Sequence, residues 1–230
     1  MDASCPVAAK SHIYCEGETI FDAMLNQTNI SHNNNKFYII QMLEEDGGGK
    51  QYYVWYRWGR VGAHGQTNLI PFGSNVAGAK NEFCKKFKDK TRNDWNDREC
   101  FEHVQGKYDL IQRDYGVDEE EKKEIVEKKS SSQQNDNVPG AKIAAPLQML
   151  ISLIFDVKMM SEEMVEIGYD ARKMPLGKLT KDTVRKGYQF LKSIAEELLK
   201  PRPDEKQLMY LSSRFYTVIP HDFGMRVSFS

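Results

Sequence analysis

The chain has 230 residues, of which 40% are hydrophobic, 28% charged and 11% aromatic, and its formal net charge is −1. That length supports a packed core, and the charge balance excludes a wholly basic nucleic-acid coat protein without excluding a local basic face. Cys5, Cys15, Cys84 and Cys100 form no Cys-x-x-Cys pair, the N-terminus has no apolar signal core, and the longest apolar run (149–155) is too short to span a bilayer, so zinc, disulfide, secretory and membrane readings fall away and an intracellular protein is expected.

In chain order, the first expected strand is Phe37-Tyr38-Ile39-Ile40-Gln41-Met42-Leu43. The glycine-rich stretch 44–50 follows, then Tyr52-Tyr53-Val54-Trp55-Tyr56-Arg57-Trp58, which together predict an antiparallel hairpin. Gly59, Gly62 and Gly65 mark a second turn before a third strand at 67–72. Ser74 or Asn75 can cap a helix with Val76, Ala79, Phe83 and Phe87 on one face and Lys80, Lys85, Lys86, Lys88, Lys90 and Arg92 on the opposite side. A last strand near 107–111 completes a small sheet with one helix packed on it, an α+β module.

The stretch 118–137 is rich in charge and then in Ser, Gln and Asn, the composition of a solvated linker that uncouples its neighbours. Beyond it the pattern is all-α, a partial helical bundle. One helix begins at Pro146 and a second covers 161–167. Thr180 caps a third with the stripe Val184, Tyr188, Leu191, Ala195 and Leu198, and a fourth carries Leu208, Leu211, Phe215 and Ile219 before Pro220.

Gly47-Gly48-Gly49-Lys50 is followed by Gln51 and so is no phosphate loop; Gly59, Gly62 and Gly65 lack dinucleotide spacing; Asp222-Phe223-Gly224 stands without the other kinase motifs. The five histidines are isolated, and no acid–base constellation forms. The cluster Trp55-Tyr56-Arg57-Trp58-Gly59-Arg60, with Asn33-Asn34-Asn35-Lys36 upstream, is more telling. Arginine grips phosphate with a planar fork, and tryptophan gives a face on which a base or sugar stacks. Side chains alternate along a strand, so Trp55 and Trp58 face opposite sides and at most one is core. The basic helix is open to two readings, a solvated face or a surface toward DNA.

Tyr56-Arg57-Trp58-Gly59-Arg60-Val61-Gly62, Gly65-Gln66, Phe83, Lys85, Lys86, Phe87, Lys90-Thr91, Asn93, Trp95 and Gly106-Lys107-Tyr108 resemble the WGR domain of the poly(ADP-ribose) polymerase family. Pro175-Leu176-Gly177-Lys178-Leu179, Phe215-Tyr216 and Ile219-Pro220-His221-Asp222-Phe223-Gly224 resemble its helical regulatory domain. The resemblance covers roughly 10–226, and the Met24-to-Asn29 and Asn33-to-Lys36 strings are similar to the DNA-break-dependent type-two members.

It implies a WGR DNA-binding domain at 10–117, a linker at 118–142 and a truncated regulatory domain at 143–226. By the same resemblance Arg60 would hold a 5′ phosphate and Trp58 would stack on the terminal nucleotide, with Asn33, Asn35, Lys36 and Tyr108 supporting the contact. The implied partner is broken double-stranded DNA with a 5′ phosphate, in the nucleus, with a full-length polymerase or repair proteins as further partners. NAD is the cofactor of the full-length family; no cofactor is expected in this chain. No counterpart of the transferase domain follows, so autonomous ADP-ribosyl transfer is not expected. The other readings are a fragment of a complete NAD-dependent ADP-ribosyltransferase, or a protein-interaction module.

Overall fold

Apolar side chains at alternate positions of two long strands organise the sheet in the computed structural model, which describes residues 1–113 and 179–225. The strands are β1 (Ser11–Ile13), β2 (Cys15–Glu16), β3 (Thr19–Ile20), β4 (Asp22–Asn29), β5 (Asn34–Glu45), β6 (Tyr52–Arg60), β7 (Gln66–Gly73) and β8 (Asp109–Ile111). Six of them form one antiparallel sheet in the order β7-β6-β5-β4-β8, with β1 beside the end of β5 that β4 does not reach; β2 and β3 pair separately. The expected hairpin is β5–β6 and the expected third strand is β7. Helix α1 (Val76–Thr91) is capped by Asn75, whose side chain accepts from the Gly78 amide at 2.9 Å.

Both faces of the sheet are covered. Tyr38, Ile40, Met42, Val54 and Tyr56 pack under Ala79, Phe83 and Phe87 of α1 and under Trp95. Met24, Phe37, Ile39, Leu43, Trp55 and Ile111 form a second layer with Cys5 and Val61. Trp55 is core on that second face, whereas Trp58 lies half-buried at the rim of the first, as strand alternation requires.

The long strand β4 was not expected. Its Asn26 and Thr28 are polar yet buried, so its sequence lacks a clean apolar alternation. Those groups serve the helical segment. Helix α2 (Lys181–Leu198) is capped by Thr180 and α3 (Glu205–Val218) by Asp204. Short β8 covers β4 only at Met24–Asn26, and α3 takes over beyond it. The Thr28 amide donates to Thr217 Oγ1 at 3.0 Å, the Ile30 amide donates to Ser213 Oγ at 3.1 Å, and Asn26 Nδ2 donates to the carbonyls of Tyr216 and Thr217. Arg214 pairs with Asp109 of β8 at 2.6 Å.

The described residues therefore lie in one compact unit, contrary to the uncoupling expected of the linker. The apolar stripe of α2 is open to solvent, as expected of a helix whose stripe needs a partner. Val184, Tyr188, Leu191 and Leu198 are exposed, and the side turned inward carries Thr183, Gly187 and Glu197. Gly187 explains the choice: a Cβ there would lie 2.9 Å from Cγ1 of Ile219, so its absence admits the end of α3. The expected helices from Pro146 and over 161–167 fall outside the described residues. No helix among the described residues is long and apolar enough to cross a membrane.

Candidate functional site

The site forms where the β4–β5 turn meets the end of β6. Residues Ile30–His32 make a 3-10 turn, closed by Asn33 in the left-handed region (φ 51°), which delivers Asn34, Asn35 and Lys36 to the start of β5. Antiparallel register then sets Lys36 opposite Arg60 and Tyr38 opposite Trp58. The turn after β6 folds back tightly. A Cβ on Gly59 would lie 2.7 Å from the Gly65 Cα, and one on Gly65 (φ +80°) 2.4 Å from the Trp58 carbonyl oxygen.

The result is a concavity of about 260 Å³ lined by Asn33, Asn34, Asn35, Lys36, Trp58, Gly59, Arg60 and Tyr108. All six residues singled out from the sequence (Trp58, Arg60, Asn33, Asn35, Lys36 and Tyr108) lie on its wall. Its floor is aromatic. Trp58 stacks on Tyr38 with ring centres 5.6 Å apart and planes at 12°, and Tyr38 meets Tyr108 edge-on at 6.1 Å. Burial pushes the Tyr108 phenol up to about 12; burial, with the nearby charges, does the same for Tyr38. Both hydroxyls are therefore neutral donors at physiological pH.

The cationic wall is Lys36 and Arg60. Lys36 Nζ lies 5.3 Å from the Tyr108 ring centre, and burial, with the charge of Lys90, lowers its proton affinity. Arg60 donates through Nη1 and Nη2 to the backbone and side-chain oxygens of Asn33 at 3.0 and 3.1 Å, and through Nε to the Gly224 carbonyl. Asn33 Nδ2 donates to the Met225 carbonyl at 3.2 Å. Asn35 is 1% exposed; it accepts from the Thr28 hydroxyl and donates to the His221 carbonyl at 2.8 Å. The structure thus places Asn35 inside the wall as a latch, with Asn33 and Arg60 on the surface.

The segment after α3 therefore presents three backbone carbonyls to these donors. It is stiffened by rings: Tyr216 meets His221 at 5.0 Å and Phe223 at 4.7 Å, and burial lowers the His221 proton affinity. Sequence reasoning missed Tyr38, although its place opposite Trp58 in the hairpin register marks it. It also missed this contact, for which no local signal exists across more than 160 residues of separation.

Two families match the chain. Residues 21–102 match the WGR domain, and residues 141–229 match "Poly(ADP-ribose) polymerase, regulatory domain". Among similar proteins, Poly [ADP-ribose] polymerase 2 of Homo sapiens is 45% identical over 227 residues, covering 98% of this chain and 38% of that protein. Poly [ADP-ribose] polymerase 2-A of Oryza sativa subsp. japonica is 47% identical over 92% of this chain and 31% of its own length. Protein mono-ADP-ribosyltransferase PARP3 of Mus musculus is 41% identical over 97% of this chain and 41% of its own. The chain thus spans less than half the length of these relatives.

Proposed function

We propose that this chain, which belongs to the poly(ADP-ribose) polymerase family through its WGR and regulatory domains, is the part that senses broken double-stranded DNA in a repair enzyme of that family. The observation that carries this reading is the single concavity shared by Trp58, Arg60, Lys36, Asn33 and Tyr108. A flat indole beside two cations and the neutral Tyr108 phenol suits a terminal nucleotide with a 5′ phosphate, since phosphate takes charge-assisted hydrogen bonds and the base or sugar takes the ring face. A phosphate oxygen on Arg60 would take the place of the Gly224 carbonyl. Break recognition would then compete with the segment that follows α3, which couples sensing to the regulatory helices. In this reading the protein acts in the nucleus, and NAD binds elsewhere in the complete enzyme.

A charge-assisted hydrogen bond contributes roughly 1.5–3 kcal/mol. Arg60→Ala is therefore expected to weaken binding to a 5′-phosphorylated nick at least about tenfold, read by fluorescence anisotropy. Equal loss on intact duplex would reduce Arg60 to general electrostatics and sink the reading. One observation favours a second reading: the ligand on Arg60 here is a peptide carbonyl, so the same donors suit a protein partner. Saturable binding of a peptide spanning residues 219–225, with no preference for broken over intact DNA, would select it.

A further inference from the structure

The segment that follows α3 meets the site donors with its backbone. The His221 carbonyl takes Asn35 Nδ2 at 2.8 Å, the Gly224 carbonyl takes Arg60 Nε, and the Met225 carbonyl takes Asn33 Nδ2 at 3.2 Å. The shape of this strap rests on one imidazole. The His221 ring centre lies 5.0 Å from that of Tyr216, 5.9 Å from Phe223 and 6.0 Å from Phe215, and its plane is 20° from that of Phe223. Its Nδ1 donates to the Ile219 carbonyl at 2.7 Å, so Nε2 is the atom that a second proton would take.

That proton would put a full charge among three rings. Asp222, next in the chain, favours it; its carboxylate accepts from the Gly224 amide at 2.9 Å and fills the space a Cβ on Gly62 would need. Arg60, which holds Gly224, and Lys36, which follows Asn35 on β5, oppose it. On α3, Arg214 is turned to Asp109, and Tyr216 is a neutral phenol because burial raises it. Burial itself weighs against the charge and holds His221 below the ordinary histidine value.

We propose that the strap is a proton-sensitive cover of the concavity, docked on Arg60, Asn33 and Asn35 while His221 is neutral and loosened when Nε2 is protonated. The inference rests on the broken-DNA reading and adds its regulation: a ligand that displaces the strap frees the ring from its cage, so binding takes up a proton. A histidine depressed in the docked state supports docking in full above its ordinary value, about 6.5. From there down to the lower docked value, docking weakens about tenfold per pH unit.

NMR titration of the His221 imidazole is the test. Its midpoint is expected below about 6.5 in the free chain, and to rise toward that value when 5′-phosphorylated nicked duplex is added. Asn33→Gly suits the left-handed backbone there and drops a neutral hold on the Met225 carbonyl, so it should raise the midpoint without DNA. Calorimetry of duplex binding near pH 6, in two buffers of different ionisation heat, should show up to about one proton taken up. His221→Phe keeps a ring that cannot charge and should abolish the uptake; His221→Gln does the same should phenylalanine disturb the fold. An ordinary midpoint in the free chain, or equal proton uptake in these variants, would overturn the inference. So would duplex binding that leaves the midpoint in place, although the broken-DNA reading would stand. A chain without affinity for broken DNA, whose midpoint Asn33→Gly still raises, would overturn the reading while upholding the proton-controlled strap.

Discussion

At the scale of single residues, the site depends on atoms that are absent. Gly65 lets its turn close on the Trp58 carbonyl, and with φ at +80° it has the backbone conformation that side chains resist. Gly65→Ala must open that turn, because the obstructing atom is backbone. It is expected to destabilise the fold by about 1–3 kcal/mol and to displace Trp58, seen as a lower Tm together with altered tryptophan fluorescence. An unshifted Tm would show that the turn relaxes freely.

Asp2 gives the residue scale its pH dependence. Its side chain is 3% exposed, and burial opposes its ionisation. The Arg57 guanidinium at 2.6 Å, with the Ser4 amide and the Trp55 indole, more than offsets that and holds the carboxyl below its ordinary value. A carboxyl depressed on folding contributes stability that is complete above its unfolded value, about 3.9, and is lost as pH falls through the lower folded value. Asp2→Asn should accordingly destabilise the fold near neutral pH and flatten the acid limb of stability against pH below about 4. Urea titrations at a series of pH values measure both effects; an unchanged acid limb would deny the ion pair its role.

At the scale of elements, legibility followed the kind of burial. The β5–β6 hairpin and α1 were readable because their inward positions are apolar at regular spacing: Tyr38, Ile40 and Met42 in the strand, and Ala79, Phe83 and Phe87 in the helix. Strand β4 was hidden because Asn26 and Thr28 face a polar partner on α3. The stripe of α2 was readable as a helix and as a face in need of a partner, but its inward side was not. Periodicity says which residues share a face, not which element that face meets, and Gly187 gave the inward side to α3. The site residues were legible through resemblance, whereas the carbonyls of His221, Gly224 and Met225 on those donors were not, since no local pattern encodes a contact so distant in sequence.

The hydroxyl of Thr217 completes the uncovered edge of β4, taking the Thr28 amide at 3.0 Å and donating to the Ser213 carbonyl at 2.7 Å. Thr217→Val keeps the volume and leaves a buried amide without its acceptor, at a cost of about 1–3 kcal/mol. Hydrogen exchange of the Thr28 amide should accelerate in this variant and recover in Thr217→Ser. Exchange at the valine level in the serine variant would mean that packing of the methyl, not the hydroxyl, holds the edge.

At the scale of the whole molecule, the seam between the sheet and α3 is polar and buried, and that determines how the chain unfolds. Asn26, Thr28, Asn35 and Asp109 are all 6% exposed or less, and each has a partner on the helical segment. Parting the two surfaces without unfolding them would admit water to these groups but break every paired bond together, and buried polar networks are lost as units. Arg214 is the strongest member, because its guanidinium reaches Asp109 while lying 5.5 Å from the Phe190 ring centre on α2, so one side chain ties β8, α3 and α2. Calorimetry of the chain should therefore show residues 1–113 and 179–225 unfolding in one transition. Arg214→Ala leaves a buried carboxylate short of its cation, a loss of about 3–5 kcal/mol for such pairs, and should divide that transition, with the helical segment melting first and the sheet retaining most of its Tm. Two well-separated transitions in the unmodified chain would show that the seam is a contact of convenience between independent folding units, and a single transition in Arg214→Ala would place the coupling in the hydrogen bonds to β4 instead.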